Sequence, residues 1–234
     1  MHRFWFRPIL AVALGAAALA AAHPPAAAQT ASPPSIGSTM PSDIDPQSGF
    51  RLPLLPRDQL DDEGRKAYDR ASTPGKTLAG LQGPAAVRFY SPKTLPHLQA
   101  LNQYLRFEAE YGPRIREVAI LTTAREMDSQ FEWVAHEGEA IKEGVEQNVI
   151  DVIKHRRSTA GLNEKDAVVI ELGRQLWRDH KVTSETFAKA KALFGANQLI
   201  DLVLLMGDYA GTAALLTAVD MQLHKGKQPL LPIP

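Results

Sequence analysis

The chain has 234 residues, 26 basic and 26 acidic side chains, and no cysteine. Without a thiol it has no cysteine nucleophile, dithiol redox centre, thiolate metal ligand or disulfide. The balanced charge leaves no cationic footprint for nucleic acid, so that class of partner is excluded.

At the N-terminus Arg3 and Arg7 precede the apolar run "PILAVALGAAALAAA", and Ala26, Ala27 and Ala28 stand before Gln29. This layout predicts a signal peptide over residues 1–28, cleaved at an Ala-x-Ala site, and hence a periplasmic or secreted protein. The rival reading is a retained anchor, but the apolar core over residues 9–22 is shorter than the ~20 residues a bilayer span needs. No later run reads as a span, so no membrane association is expected once the leader is removed. Residues 29–49, "QTASPPSIGSTMPSDIDPQSG", are rich in Pro, Ser and Gly and lack apolar periodicity, which predicts a disordered linker. The remaining 50–234 suffice for one domain with its own core.

From there nearly every periodic stretch is helical. Leu60, Ala67 and Ala71 share one side of "RDQLDDEGRKAYDRAS", which Ser-Thr-Pro-Gly stops. Leu98, Leu101 and Leu105 form a stripe in "SPKTLPHLQALNQYLRFEAEYG", with Leu95 leading in and Gly112-Pro113 closing it. Pro113, whose missing N–H costs nothing in a first turn, opens a helix through "RIREVAILTTARE". Asp128 reads as the N-cap of the next helix, which continues to about Gly144. Asn163 followed by Asp166, and Thr183 before "SETFAKAKALFG", mark two further N-termini. The last apolar region reads as two helices, or as one kinked near Gly207, ended by Gly226. No run shows strand alternation with hairpin signals, so the fold class is all-α.

Within "SQFEWVAHEGEA", residues 129–140, Glu132 and His136 stand four positions apart. On a wheel advancing ~100° per residue, Phe131, Val134, Ala135, Gly138, Ile141 and Val145 cluster as the expected packing face. Ser129, Glu132 and His136 fall opposite. Glu139 and Glu143 lie near Glu132, as on a solvated edge, whereas Trp133 and Ala140 flank His136 as in a pocket or subunit contact. The sequence leaves both readings open. Glu117 shares a stripe with Ile120, Leu121 and Ala124, so its carboxylate should be partly buried and needs a partner. That partner is either a histidine, whose charge changes near neutral pH, or one of Arg114, Arg116 and Arg125.

Tyr90 and His97 in "YSPKTLPHL" read as a surface turn set by Pro92 and Pro96, or else as a wall of the site. Tyr209 has the same ambiguity. His155, His180 and His224 read as helix-end or surface residues. No second histidine stands at ligand spacing, so no metal site and no cofactor is assigned, although Glu117, Glu132 and His136 as a facial ligand set is a third reading.

The segment "REVAILTTAREMDSQFEWVAHEGEAIKEGV" resembles the core motif of the carboxymuconolactone decarboxylase family, in which Arg-Glu precedes an apolar helix and an aromatic-Glu-Trp-x-x-His element follows. In the branch that resembles alkyl hydroperoxidase D the pattern is Glu, eleven residues, Cys, two residues, Cys, three residues, His, and Glu117, Ser129, Glu132 and His136 keep that spacing. Ser129 and Glu132 occupy both cysteine positions, so the chain looks like a cysteine-free member without thiol peroxidase chemistry. The resemblance covers residues 104–157, and the helices beyond look like the usual continuation.

The resemblance implies an alkyl hydroperoxidase D-like helical domain assembled as a homotrimer or hexamer, with sites near subunit contacts and Gly207 and Gly211 allowing close helix approach. It implies His136, Glu132 and Glu117 as catalytic residues, Arg116 or Arg125 as the carboxylate holder, and Ser129 and Trp133 beside the substrate. That substrate would be a small lactone or carboxylated compound undergoing decarboxylation, isomerisation or hydrolysis. An exported enzyme would not meet an intermediate of intracellular aromatic breakdown, so a related lyase-type reaction is expected rather than that of the decarboxylase itself. The alternative is a non-catalytic oligomeric small-ligand-binding protein of the same fold.

Overall fold

A computed structural model describes residues 40–233; the leader and residues 29–39 of the expected linker lie outside the described residues. The described residues form eight α-helices and no strand. These are α1 (Asp62–Ser72), α2 (Pro84–Arg88), α3 (Leu95–Phe107), α4 (Pro113–Glu126), α5 (Gln130–Lys142), α6 (Gln147–Lys154), α7 (Glu164–Trp177) and α8 (Ser184–Ala218).

The centre is α4, which packs against α5, α6, α7 and α8 and is buried from Ile115 through Arg125. A helix enclosed on every side has no single apolar stripe, and α4 accordingly carries polar Arg116, Glu117, Thr122 and Thr123 indoors. The hydroxyls of Thr122 and Thr123 are satisfied locally, donating to Val118 O at 2.7 Å and Ala119 O at 2.9 Å. Where α4 crosses α7, Gly173 allows the close approach: a Cβ there would lie 2.6 Å from Thr122 Cγ2. A smaller core joins Phe50, Leu60, Ala67, Val87, Phe89 and Leu95 under the end of α8.

Local chemistry sets three of the four helix starts that the sequence names. Pro113 opens α4, and Asn163 and Thr183 cap α7 and α8 by accepting from the N–H groups of Asp166 and Thr186. Asp128 does not cap α5. It is left-handed (φ 48°), and Ser129 N bonds Ala124 O at 2.8 Å while Asp128 N bonds Arg125 O at 3.2 Å. That pair of bonds is a Schellman closure of α4, with Asp in the place glycine usually takes. Its carboxylate goes to Arg125 and Arg156. Ser129 is the N-cap residue of α5.

Three other expectations are corrected. Residues 40–49 are folded against the domain rather than a loose linker. Asp45 holds a turn by accepting from Ser48 N, Ile44 and Ser48 are buried, and Gln222 N bonds Gly49 O, tying the segment to the chain beyond α8. The break in α8 falls at Gly195 (φ 75°, ψ 172°), and the helix runs on through Gly207 to Ala218, well short of Gly226. Finally, α8 is long and apolar enough to cross a membrane by length and composition. Its buried Leu199, Leu202, Leu205, Met206, Tyr209 and Ala213 recur every three or four positions and belong to the core, which accounts for that apolarity.

Candidate active site

The tight Asp128 turn joins α4 to α5 and sets the two helices side by side, so that Glu117 on one meets His136 on the other. His136 Nδ1 lies 2.8 Å from Glu117 Oε2, and Arg116 Nε donates to Glu117 Oε1 at 2.9 Å. Both alternatives for the Glu117 partner are therefore realised on one carboxylate. Glu117 has no exposed surface and His136 is only 3 % exposed. Burial alone would raise the Glu117 carboxyl. The hydrogen bonds and charges of His136 and Arg116 outweigh it and hold the group below its ordinary 4.5. An ionised Glu117 accepts from Nδ1–H, which assigns the lone pair of the neutral ring to Nε2.

On the far side of the ring, Glu132 Oε2 lies 3.7 Å from Nε2, too long for a hydrogen bond. The Glu132 carboxylate accepts no hydrogen bond from the described residues, and burial raises it above 4.5 against the opposing charges of His136, Arg88 and Arg106. Two acids thus flank one imidazole, with burial winning at Glu132 and hydrogen bonding winning at Glu117. Because they address opposite ring nitrogens, the three do not form a facial ligand set, and no cluster of metal-ligating residues occurs among the described residues.

Glu132, His136 and Tyr209 line a cavity of about 580 Å³ between α5, α8 and the layer of α1, α2 and α3. Tyr209 meets the His136 ring edge-on, with centroids 5.2 Å apart and planes at 84°. Burial raises its phenol, which therefore stays protonated and offers the cavity a neutral donor. The cavity also carries Arg70, Lys76, Arg88, Arg106 and Lys142.

The expected packing face of α5 is largely reversed. Glu132, Trp133, His136 and Ala140 are buried, whereas Gly138 and Ile141 face outward and Val134 and Ala135 are half-buried; of that expected face, Phe131 and Val145 are buried. Counting apolar positions selects the wrong side because His136 finds its partner on α4 and Glu132 turns into the cavity.

Trp133 and Ala140 sit in the main core rather than on a second surface, and Trp133 does not line the cavity. Ser129 is buried at the helix start, also away from it. Neither Arg116 nor Arg125 faces the cavity. Arg116 is spent on Glu117, Arg106 O and Glu143, and Arg125 on Lys154 O and Asp128. Tyr90 donates to Pro53 O at 2.6 Å outside the cavity and His97 is exposed, as the turn reading has it. Gly207 and Gly211 are exposed, with nothing near a notional Cβ, so no close approach among the described residues uses them. Sequence reasoning missed Arg88 and Arg106; nothing in their local pattern separates them from surface arginines.

No protein-family model and no curated protein matches the sequence. Solved structures do match in shape. An alkylhydroperoxidase AhpD core, an uncharacterized peroxidase-related protein from Ralstonia eutropha JMP134, aligns at 12 % identity and TM-score 0.62 over 76 % of this chain and 93 % of its own. A peroxidase-related protein from Silicibacter sp. TM1040 aligns at 14 % identity and TM-score 0.61 over 79 % of this chain and 95 % of its own. A putative antioxidant defence protein AhpD from Agrobacterium tumefaciens aligns at 14 % identity and TM-score 0.53 over 58 % of this chain and 94 % of its own. The chain therefore has the helical AhpD-like fold, in a version with no cysteine.

Proposed function

We propose that this is an exported enzyme that moves a proton at His136 Nε2 on a small lactone or carboxylated compound. The observation that carries the reading is the asymmetric pair of acids around one buried imidazole, open on its Nε2 side to a cavity of small-molecule size. Glu117 fixes the tautomer, Nε2 accepts or returns the proton, and Glu132, pushed toward its neutral form, is the second proton carrier. In a decarboxylation, the electron pair left by departing CO₂ would be delocalised into an unsaturated neighbour and protonated from this pair. In an isomerisation, Nε2 would take the proton beside a carbonyl and Glu132 would return one at the new position. In a lactone hydrolysis, Nε2 would take the proton of the attacking water as its oxygen bonds the carbonyl carbon, and the ring acyl C–O bond would then break with the proton returned to the departing alkoxide. No step needs a thiol, and none is present.

The test is turnover of small lactones and unsaturated carboxylates by the purified mature protein, with His136→Ala as control. Loss of roughly 10²- to 10⁴-fold in rate is expected. An unchanged rate overturns catalysis at this residue, and binding without turnover in the wild type turns the reading into that of a ligand-binding protein. Export is tested by the N-terminal sequence of the protein recovered from the cell envelope, expected to begin at Gln29. Exposed Leu101, Tyr104, Phe107, Ile200 and Leu204 on α3 and α8 support self-assembly beside the cavity, of which Phe107 is a lining residue. Leu204→Glu should then sediment as a monomer.

A further inference from the structure

The Arg106 guanidinium makes no hydrogen bond and no ion pair with any described residue, and its Nε is buried. Its one close neighbour of note is the Phe107 ring, 5.0 Å from the guanidinium carbon. Arg88, with a side chain 14 % exposed, donates from Nη2 to Thr212 Oγ1 at 2.6 Å, but its Nε is likewise buried without a partner. Its nearest carboxylate, Asp208, stands 4.0 Å off and already accepts from Asn102. Both arginines line the cavity with His136, Glu132, Tyr209 and Thr212.

Each of these arginines keeps a buried Nε–H with no acceptor, which is costly, and an anion brought in by a ligand is what would offset that cost. We propose that Arg88 and Arg106 are the specificity-determining residues of this cavity, holding the carboxylate of the compound on which His136 and Glu132 act. The inference rests on the function proposed above and narrows its substrate to a carboxylate; a lactone lacking one would leave both arginines unmatched.

Three features of the cavity favour this chemistry. The planar fork of each guanidinium matches the two oxygens of a carboxylate. Five cationic side chains line the cavity with two acids; Lys142 is paired with Glu139 and burial pushes Glu132 toward its neutral form, so the remaining lining charge is cationic and suits an anion. The charges of Arg88 and Arg106 also both bear on Glu132, which keeps the anchored end of the ligand close to the proton-transfer centre. The arginines come from α2 and α3 and the acid and imidazole from α5, so the ligand would bridge the N-terminal layer and the motif helix.

The test is calorimetric titration of the purified mature protein with four- to eight-carbon monocarboxylates, sorbate and benzoate among them, against their methyl esters and inorganic phosphate. The acids are expected to bind at least tenfold more tightly than their esters. Arg106→Gln and Arg88→Gln should each weaken the acids roughly ten- to hundredfold, leave the esters unchanged and show wild-type circular dichroism. Arg106→Lys, which keeps the charge but not the fork, should retain part of the affinity. Equal binding of acid and ester, unaltered affinity in Arg106→Gln, binding of phosphate in preference to every carboxylate, or no carboxylate binding at all would each overturn the proposal. His136→Ala separates the two ideas, since it should bind the acids as the wild type does while losing turnover. An active His136→Ala protein with arginine-dependent binding would sink the proton-transfer reading and leave the clamp standing.

Discussion

Glu117 and His136, nineteen residues apart on consecutive helices, share a 2.8 Å hydrogen bond, with Glu117 wholly buried and His136 exposed only where its ring meets the cavity. Buried polar pairs of this kind hold together only if every member is satisfied, because a lone charge in that place would cost several kcal/mol. Arg116 supplies the balance on the other Glu117 oxygen and is itself anchored at Arg106 O (2.7 Å) and Glu143 (3.2 Å). The network thus ties the ends of α3 and α5 to the N-terminal part of α4, and the same contacts that stabilise the fold orient the imidazole.

Removing the middle member should show both effects. Glu117→Ala leaves Arg116 without its buried counter-charge and frees the imidazole to rotate, so a loss of about 3 to 5 kcal/mol is expected in urea denaturation. Glu117→Gln retains a carbonyl that can accept from Nδ1–H and should lose distinctly less. If the two variants melt alike, the carboxylate is not positioning the ring by that bond.

The two glutamates should also leave opposite marks on the dependence of stability on pH. The Glu117 carboxyl is lowered in the fold, so the unfolded chain binds its proton more tightly, and the stability that Glu117 contributes is lost as pH falls below about 4.5. The Glu132 carboxyl is raised, so the folded protein binds the proton more tightly and stability falls as pH climbs from about 4.5 through the raised value. Urea midpoints measured from about pH 3 to pH 8 should show that second decline in the wild type and its disappearance in Glu132→Gln, with the acid-side loss unchanged. Persistence of the decline in Glu132→Gln would place its origin elsewhere.

What could be read from the sequence was chemistry confined to a few neighbouring residues. Pro113, Asn163 and Thr183 act on backbone groups within one turn, and the structure uses all three as read. Asp128 shows the limit of that logic, because the short polar side chain that suits an N-cap also tolerates the left-handed turn closing the previous helix, and only the partners Arg125 and Arg156 decide between them. The buried side of α5 was illegible for a longer-range reason. Whether Glu132 and His136 face water depends on what α4 brings to meet them, which no wheel drawn on α5 alone contains. The cavity arginines lay further still from view, since Arg88 and Arg106 come from helices other than α4 and α5 and are marked out only by an unpartnered Nε beside the cavity.

The crossing of α4 and α7 offers a test of packing independent of the site. Gly173→Ala would drive a methyl to 2.6 Å from Thr122 Cγ2, and overpacking of this kind costs about 1 to 3 kcal/mol. Thr122→Ser removes the obstructing methyl while keeping the hydroxyl that donates to Val118 O. The double variant should therefore recover most of the loss from Gly173→Ala, a coupling read from a double-mutant cycle. Simple additivity of the two changes would show that the clash is relieved by some other movement.

At the C-terminal end of α4, Glu126 is the hub for three arginines. Its carboxylate, 2 % exposed, lies 2.7 Å from Arg178 Nη2, 3.1 Å from Arg156 Nε and 3.9 Å from Arg174 Nε. Glu126→Gln removes the charge all three share. Arg178 is half-exposed, Arg156 retains Asp128, and Arg174 retains Glu171 and the carbonyls of Val152 and Arg157, so each has somewhere to turn. The expected cost is accordingly about 1.5 to 3 kcal/mol rather than that of an orphaned buried ion. Glu126 lies outside the cavity lining, so monocarboxylate affinity should be unchanged in this variant even though it is less stable. Should Glu126→Gln weaken the acids as far as Arg106→Gln does, the arginine effect would have to be assigned to general loosening of the bundle and not to a direct grip on the ligand.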